Sequence, residues 1–281
     1  MRTRGKRPTS SKPAEFRRIN RSAGATVRVA GAGAVGRRAV FLDRDGVINA
    51  LVYHQDAGVI DAPFTRSQFR LLPRVPEAIR LLNDLGLPVV VVSNQPGIAK
   101  GHLKPEMLRW FDRTMLSRIH SVGAHIDRIF YCLHHPEAKV RTLRRRCHCR
   151  KPETGLLEEA AAQLKVSLSD CYMVGDGIPD LLAGKRAGCK TIFIGRWKCE
   201  ICQFAQPYDV RPAFVAKDLW EACQLIRSEI RDHSSATSPT RKMQVEGCSP
   251  LHRRAKHENA GTQRERVERE ARSGVTRVGG P

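Results

Sequence analysis

A chain of 281 residues with 41% hydrophobic content is long enough for one α/β domain with tails, or two small domains. No apolar run reaches the ~18–20 residues that cross a bilayer. The formal charge of +21 sits mostly at the ends: residues 1–38 carry eleven Lys and Arg against Glu15, net +10, and residues 227–281 carry twelve against seven acids, net +5.

Basic ends of this kind can hold nucleic acid by counterion release. Neither has the aromatic interleaving that single-strand binding favours, so a nucleic-acid partner is not expected. Residues 1–38 and 232–281 read as disordered, solubilising extensions around a folded region at 39–231. A nucleic-acid-binding protein acting through these tails is the rival reading from another class. The basic start has no apolar stretch behind it and is not a secretory signal, so a cytoplasmic, monomeric protein is expected.

Gly31-Ala-Gly-Ala-Val-Gly36 matches the dinucleotide pattern, but Arg37-Arg38 and a strand follow it where a helix should begin. The first buried strand is residues 39–43, which run straight into Asp43-Arg44-Asp45-Gly46-Val47. Two carboxylates two residues apart at a sheet edge repel each other unless a cation or proton separates them. That suits a divalent metal and phosphoryl transfer, one carboxylate attacking phosphorus and the other handling the leaving-group proton.

A helix over 75–85 ends at Gly86, a C-cap, and residues 88–93 hold four consecutive valines, as a strand covered on both faces should. Ser93-Asn94-Gln95 closes that strand with a hydroxyl and amides able to bind a phosphate oxygen. Residues 104–122 are helical, with Pro105 in the first turn. After a strand at 129–133, Cys132, Cys147 and Cys149 with a histidine from 134, 135 or 148 have the soft ligands of a closed tetrahedral zinc site. Arg150-Lys151-Pro152 then supplies cations for a phosphate before a helix at 155–164. A strand at 171–175 ends in Gly175-Asp176, with Asp180 beyond it as a further carboxylate for Mg²⁺. A helix at 179–187 and a fifth strand at 191–195 complete the pattern. Cys199-Glu-Ile-Cys202 is a lone pair that reads as free thiols. Strands alternating with helices predict an α/β fold with a doubly wound parallel sheet, ligands lying beyond the carboxyl ends of the strands.

Asp-x-Asp-Gly-Val, the serine after strand two, the lysine of Arg-Lys-Pro and Gly-Asp-x-x-x-Asp resemble the four motifs of haloacid-dehalogenase-type phosphatases, which have a Rossmann-like sheet. Phe-Leu-Asp-Arg-Asp-Gly-Val-Ile-Asn (41–49), Ser-Asn-Gln-Pro-Gly-Ile-Ala-Lys-Gly (93–101) and Cys-His-Cys-Arg-Lys-Pro (147–152) are similar to the D-glycero-D-manno-heptose 1,7-bisphosphate phosphatases. Histidinol-phosphate phosphatases are close relatives of these. The resemblance spans roughly residues 38–230 and implies a set of roles. Asp43 is the nucleophile and Asp45 the general acid and base. Ser93 and Lys151 bind the transferring phosphoryl group, and Arg150 and Asn94 orient substrate. Asp43, the carbonyl of Asp45 and Asp176 hold Mg²⁺. The resemblance selects His134 as the imidazole beside Cys132, Cys147 and Cys149 on a structural Zn²⁺. The substrate it implies is a small phosphorylated metabolite, the C7 phosphate of a heptose bisphosphate first, histidinol phosphate or another sugar phosphate second. Gly177 stands where heptose bisphosphatases usually carry a charged residue, and residues 50–72, expected to form a specificity loop, do not match those enzymes closely.

Overall fold

The computed structural model describes residues 38–196, 201 and 205–234. Its strands are β1 (Val40–Leu42), β2 (Val52–His54), β3 (Val59–Asp61), β4 (Val89–Asn94), β5 (Arg128–Cys132), β6 (Tyr172–Gly175), β7 (Lys190–Ile194) and β8 (Phe214–Ala216). The helices are α1 (Val75–Asp84), α2 (Pro105–His120), α3 (Gly155–Leu164), α4 (Ile178–Ala187) and α5 (Leu219–Ser234). Six strands form one sheet in the order β5-β4-β1-β6-β7-β8, every neighbouring pair parallel. β1 lies in the middle of the sheet and the later strands add to either side of it, so the connections leaving the paired strands β1 and β6 part at their carboxyl ends and open a crevice there.

The valine run shows why β4 needs no polar alternation. Val89 and Val91 join the core under α1, α2 and α5, whereas Val90 and Val92 join the opposite core under α3. β1 divides likewise, with Val40 and Leu42 on the first face and Phe41 on the second. All these side chains are fully buried, and each contributes about 1.5–3 kcal/mol of transfer free energy.

The strands and helices expected from sequence lie where predicted to within two residues at each end. Pro105 opens α2 at its first turn, and Gly86 turns the chain after α1 in the left-handed region, φ +71°. The sheet does not close at its fifth strand, as the sequence reading had it: β8 adds a sixth, and α5 follows it to Ser234, past residue 231. β8 is only three residues long with Pro212 before it, too short for a periodic signal. Residues 50–72 carry the antiparallel hairpin of β2 and β3, rooted where Ala50 N donates to Arg70 O (2.9 Å) and Leu72 N to Ile48 O (2.9 Å). His54 in this hairpin stacks on Phe64, ring centroids 4.1 Å apart. No described helix is long and apolar enough to cross a membrane. The glycine pattern at 31–36, the tails and the Cys199/Cys202 pair lie outside the described residues, apart from residue 38 and the last turn of α5.

Candidate active site

The turn after β1 is knotted by its own backbone. Asp43 N donates to Val174 O at 2.9 Å, which pins the residue between β1 and β6. Ile48 N and Asn49 N both donate to Arg44 O (2.8 and 3.0 Å), and Gly46 N donates to Asn49 O (2.8 Å). Gly46 has φ +83°, and a Cβ there would lie 2.0 Å from Asp176 Oδ2, so only glycine lets the turn pass under that carboxylate. At the end of β6 the same constraint recurs: a Cβ on Gly175 would lie 2.2 Å from the Asp180 Cβ.

These close approaches bring Asp43, Asp176 and Asp180 together, with one carboxylate oxygen from each within 4.8 Å of the others. Lys151 Nζ reaches the group from the far side, 2.9 Å from Asp43 Oδ1, 2.5 Å from Asp180 Oδ1 and donating to Val92 O at 2.8 Å. Burial opposes the charge of Lys151, yet Asp180 and Asp43 hold it above the usual lysine value. Burial also pushes the Asp176 carboxyl up to about 8, with repulsion from Asp43 and Asp180 adding to it. Asp180 rises to about 6 by burial despite Lys151. With all three acids ionised the group carries two negative charges more than Lys151 supplies, a repulsion that a cation relieves and that protonation of Asp176 relieves in its absence. That is the donor set and charge of a divalent-cation site. Asp180 is the most committed of the three, since its Oδ2 also accepts Gly177 N (3.0 Å) at the start of α4. Asp43 and Asp176 are freer to ligate.

Asp45 points elsewhere. Its Oδ1 accepts from Asn49 Nδ2 (2.8 Å) and Arg44 Nη2 (3.2 Å), and its Oδ2 accepts from Gln95 Nε2 (2.5 Å). Gln95 closes a ring by accepting Arg44 Nη2 on its own Oε1 (2.9 Å), and its Nε2 also donates to Ser93 Oγ (3.1 Å). The Ser93 hydroxyl proton is thereby left free for another acceptor.

The cysteine-rich loop is equally compact. The three sulfurs of Cys132, Cys147 and Cys149 are 3.3–3.5 Å apart, and His134 Nδ1 lies 3.3 Å from Cys149 Sγ and 3.9 Å from Cys132 Sγ. A tetrahedron with ~2.3 Å metal–sulfur bonds has edges of about 3.7 Å, so these four atoms fit zinc. Without a metal the three thiols share their protons: a hydrogen bond with Cys132 lowers the Cys149 thiol to about 5, while the hydrogen bond to Cys149 raises Cys132 and burial raises Cys147, so zinc would have to displace protons from these two. Nδ1 of His134 faces the sulfurs; His148 instead meets Glu158 (2.8 Å) and His135 accepts Glu137 N.

Asn94 grips the main chain of Lys151 from both sides, Nδ2 to Lys151 O and Oδ1 from Lys151 N, each 3.0 Å. It thus acts on the lysine rather than pointing at a substrate. Arg150 Nη1 donates to His134 O at 3.4 Å and belongs to the cysteine loop. Sequence reasoning passed over Arg44 and Asn49, which bond to Asp45, and Tyr131 and Asp112, which bond to Arg44 behind it. Arg44 read as a spacer between two acids, and the other three carry no spacing signal.

The sheet order, the carboxylate cluster and the lysine define a hydrolase of the haloacid dehalogenase type. The family described as HAD-hydrolase-like matches residues 148–222. The D-glycero-beta-D-manno-heptose-1,7-bisphosphate 7-phosphatase of Haemophilus ducreyi is 36% identical over 161 residues, 56% of this chain and 82% of that protein. The enzyme of the same name from Rhodopseudomonas palustris is 36% identical over 157 residues, 56% of this chain and 83% of that protein. Among solved structures, the D,D-heptose 1,7-bisphosphate phosphatase from B. bronchiseptica, complexed with magnesium and phosphate, aligns with a TM-score of 0.56 and 27% identity over 68% of this chain and 99% of that one. The chain belongs to the haloacid-dehalogenase-like phosphatases, in the group of the heptose-1,7-bisphosphate 7-phosphatases.

Proposed function

We propose that this protein is a Mg²⁺-dependent phosphatase that removes the C7 phosphate of D-glycero-D-manno-heptose 1,7-bisphosphate. The observation that carries the reading is the buried cluster of Asp43, Asp176 and Asp180 against Lys151, together with the relatives of that name. A carboxylate oxygen of Asp43 attacks phosphorus, the bond from phosphorus to the sugar oxygen breaks, and Asp45 gives that oxygen its proton. Asp45 then takes a proton from the water that hydrolyses the aspartyl-phosphate, which restores Asp43. Lys151 and the Ser93 hydroxyl hold the phosphoryl oxygens while charge moves across them. Asp43, Asp176 and the Asp45 carbonyl are the ligands we assign to Mg²⁺, which neutralises phosphate charge when bound. Cys132, His134, Cys147 and Cys149 hold a structural Zn²⁺ that shapes the approach to Arg150 and Lys151.

The test is a panel of phosphomonoesters with Mg²⁺, comparing kcat/KM for the heptose bisphosphate, histidinol phosphate and other sugar phosphates. The heptose bisphosphate should lead, and Asp43→Asn should abolish phosphate release from all of them. Turnover by Asp43→Asn at the rate of the unmodified protein would refute the mechanism, and preference for histidinol phosphate would refute the substrate.

A further inference from the structure

Asp45 must be aimed at an oxygen that arrives with the substrate, and its carboxylate is held by groups deeper in the protein. Arg44 is fully buried, and its guanidinium is met by polar and aromatic groups. Nη2 donates to both oxygens of Asp45 (3.2 and 3.3 Å) and to Gln95 Oε1 (2.9 Å), while Nη1 donates to the Tyr131 hydroxyl (3.4 Å) and lies 3.8 Å from Asp112 Oδ1. Tyr131 in turn donates to Asp112 Oδ1 at 2.6 Å. The guanidinium carbon also sits 5.4 Å from the Tyr131 ring centroid and 5.8 Å from that of Phe111. A buried ion pair costs desolvation that two apolar side chains would avoid. This one spends a guanidinium, a phenol and a second carboxylate on fixing the plane of Asp45.

We propose that Arg44, locked by Tyr131 and Asp112, is the positioning residue that aims Asp45 at the leaving-group oxygen. Rotation of a carboxylate about its side-chain torsions is normally soft. Here Gln95 fixes one oxygen, Asn49 the other, and Arg44 spans both. With Asp45 ionised, as it is once its proton has gone to the leaving oxygen, the arginine can only donate and the carboxylate only accept, which fixes the orientation of the Gln95 amide. Tyr131 and Asp112 do the same for Arg44 from β5 and α2, so the aim of Asp45 is referred to two packed elements rather than to its own turn. Gln95 N also donates to Cys132 O at 2.8 Å, which ties this network to the root of the cysteine loop.

The inference rests on the phosphatase reading, and leaving-group chemistry separates the two. Up to its first irreversible step, kcat/KM includes only attack by Asp43 and loss of the alcohol. An alkyl phosphate needs its oxygen protonated in that step, whereas the p-nitrophenolate of p-nitrophenyl phosphate leaves unaided. Asp45→Asn is the reference: it should lower kcat/KM for the alkyl phosphate at least ~100-fold while changing that for p-nitrophenyl phosphate by less than about 3-fold. Tyr131→Phe, which keeps the ring and removes only the hydroxyl, should shift the same ratio in the same direction by about 10-fold, and Arg44→Lys by more. A merely structural role would lower both substrates together, so equal losses in Tyr131→Phe and Arg44→Lys, or no loss in either, overturn the proposal. If Arg44→Lys does not fold, Tyr131→Phe decides alone, with its melting temperature as the control. If Asp45→Asn itself shows no discrimination between the two substrates, the assignment of Asp45 fails and the positioning role falls with it.

Discussion

Lys151 Nζ lies 2.9 Å from Asp43 Oδ1, and both groups are held there by residues remote from them in the chain. Val92 O accepts the ammonium, and Asn94 fixes the lysine main chain, so a reach of more than a hundred residues is set by the end of β4. Replacing Lys151 with Met should therefore do two things. It removes a phosphate-binding cation, and it leaves Asp180 and Asp43 buried without their partner, a loss of ~3–5 kcal/mol for a broken buried pair. Chemical denaturation should read that loss in metal-free protein, and phosphate release should drop by at least ~100-fold.

The acids give metal-free protein an unusual pH dependence. Folding raises Asp176 to about 8 and Asp180 to about 6, against an ordinary carboxyl value of 3.8. The folded chain keeps protons that the unfolded chain has already released, so these groups favour folding fully below about pH 4 and lose that contribution as pH rises towards 8. The metal-free melting temperature should fall from pH 5 to pH 8. Mg²⁺ should raise it most at the upper end, where fewer protons have to be displaced. A melting temperature that climbs with pH in the absence of metal would rule this account out.

Gly46→Ala places a Cβ against Asp176 Oδ2 and forces an L-residue to φ +83°. The backbone term alone costs ~1–2 kcal/mol. The displaced carboxylate should weaken Mg²⁺ binding and cut kcat by roughly 100-fold, the usual effect of an ångström-scale misplacement. Calorimetric titration with Mg²⁺ alone checks the first part without any turnover.

Cys147→Ser removes one of the four ligand atoms at the cysteine loop. Zinc content should fall to background and stability should drop by about 3 kcal/mol or more. Protease should then cut between residues 134 and 150, a segment with only short 3-10 structure of its own. A variant that keeps both zinc and protease resistance would contradict the assignment.

Much of this was legible before any coordinates. Asp43, Ser93 and Asp176 each stand at a strand end and Lys151 a few residues before α3, positions that residue type and spacing mark in the sequence. The valine run announced a strand buried on both faces. What could not be read is what acts through another residue. Arg44 carries no role in the sequence until Asp45, Gln95 and Tyr131 are folded around it, and the Asn94 amide lies on the Lys151 backbone. β8 was missed for want of length. The capping of α5 is written in the residues, since Glu221 N donates to Asp218 Oδ1 and Lys217 N to Glu221 Oε2.

The grip of Asn94 on Lys151 also sets an order in time. During synthesis Asp43, Asp45 and Asn94 all leave the ribosome before the lysine that they await, and Asp176 comes later still. A chain ending before residue 151 has Asp43 but neither Lys151 nor the Asp180 that shares it. Assembly of the central crevice is thus a late event by construction, and chains interrupted before β6 lack two of the three carboxylates that line it.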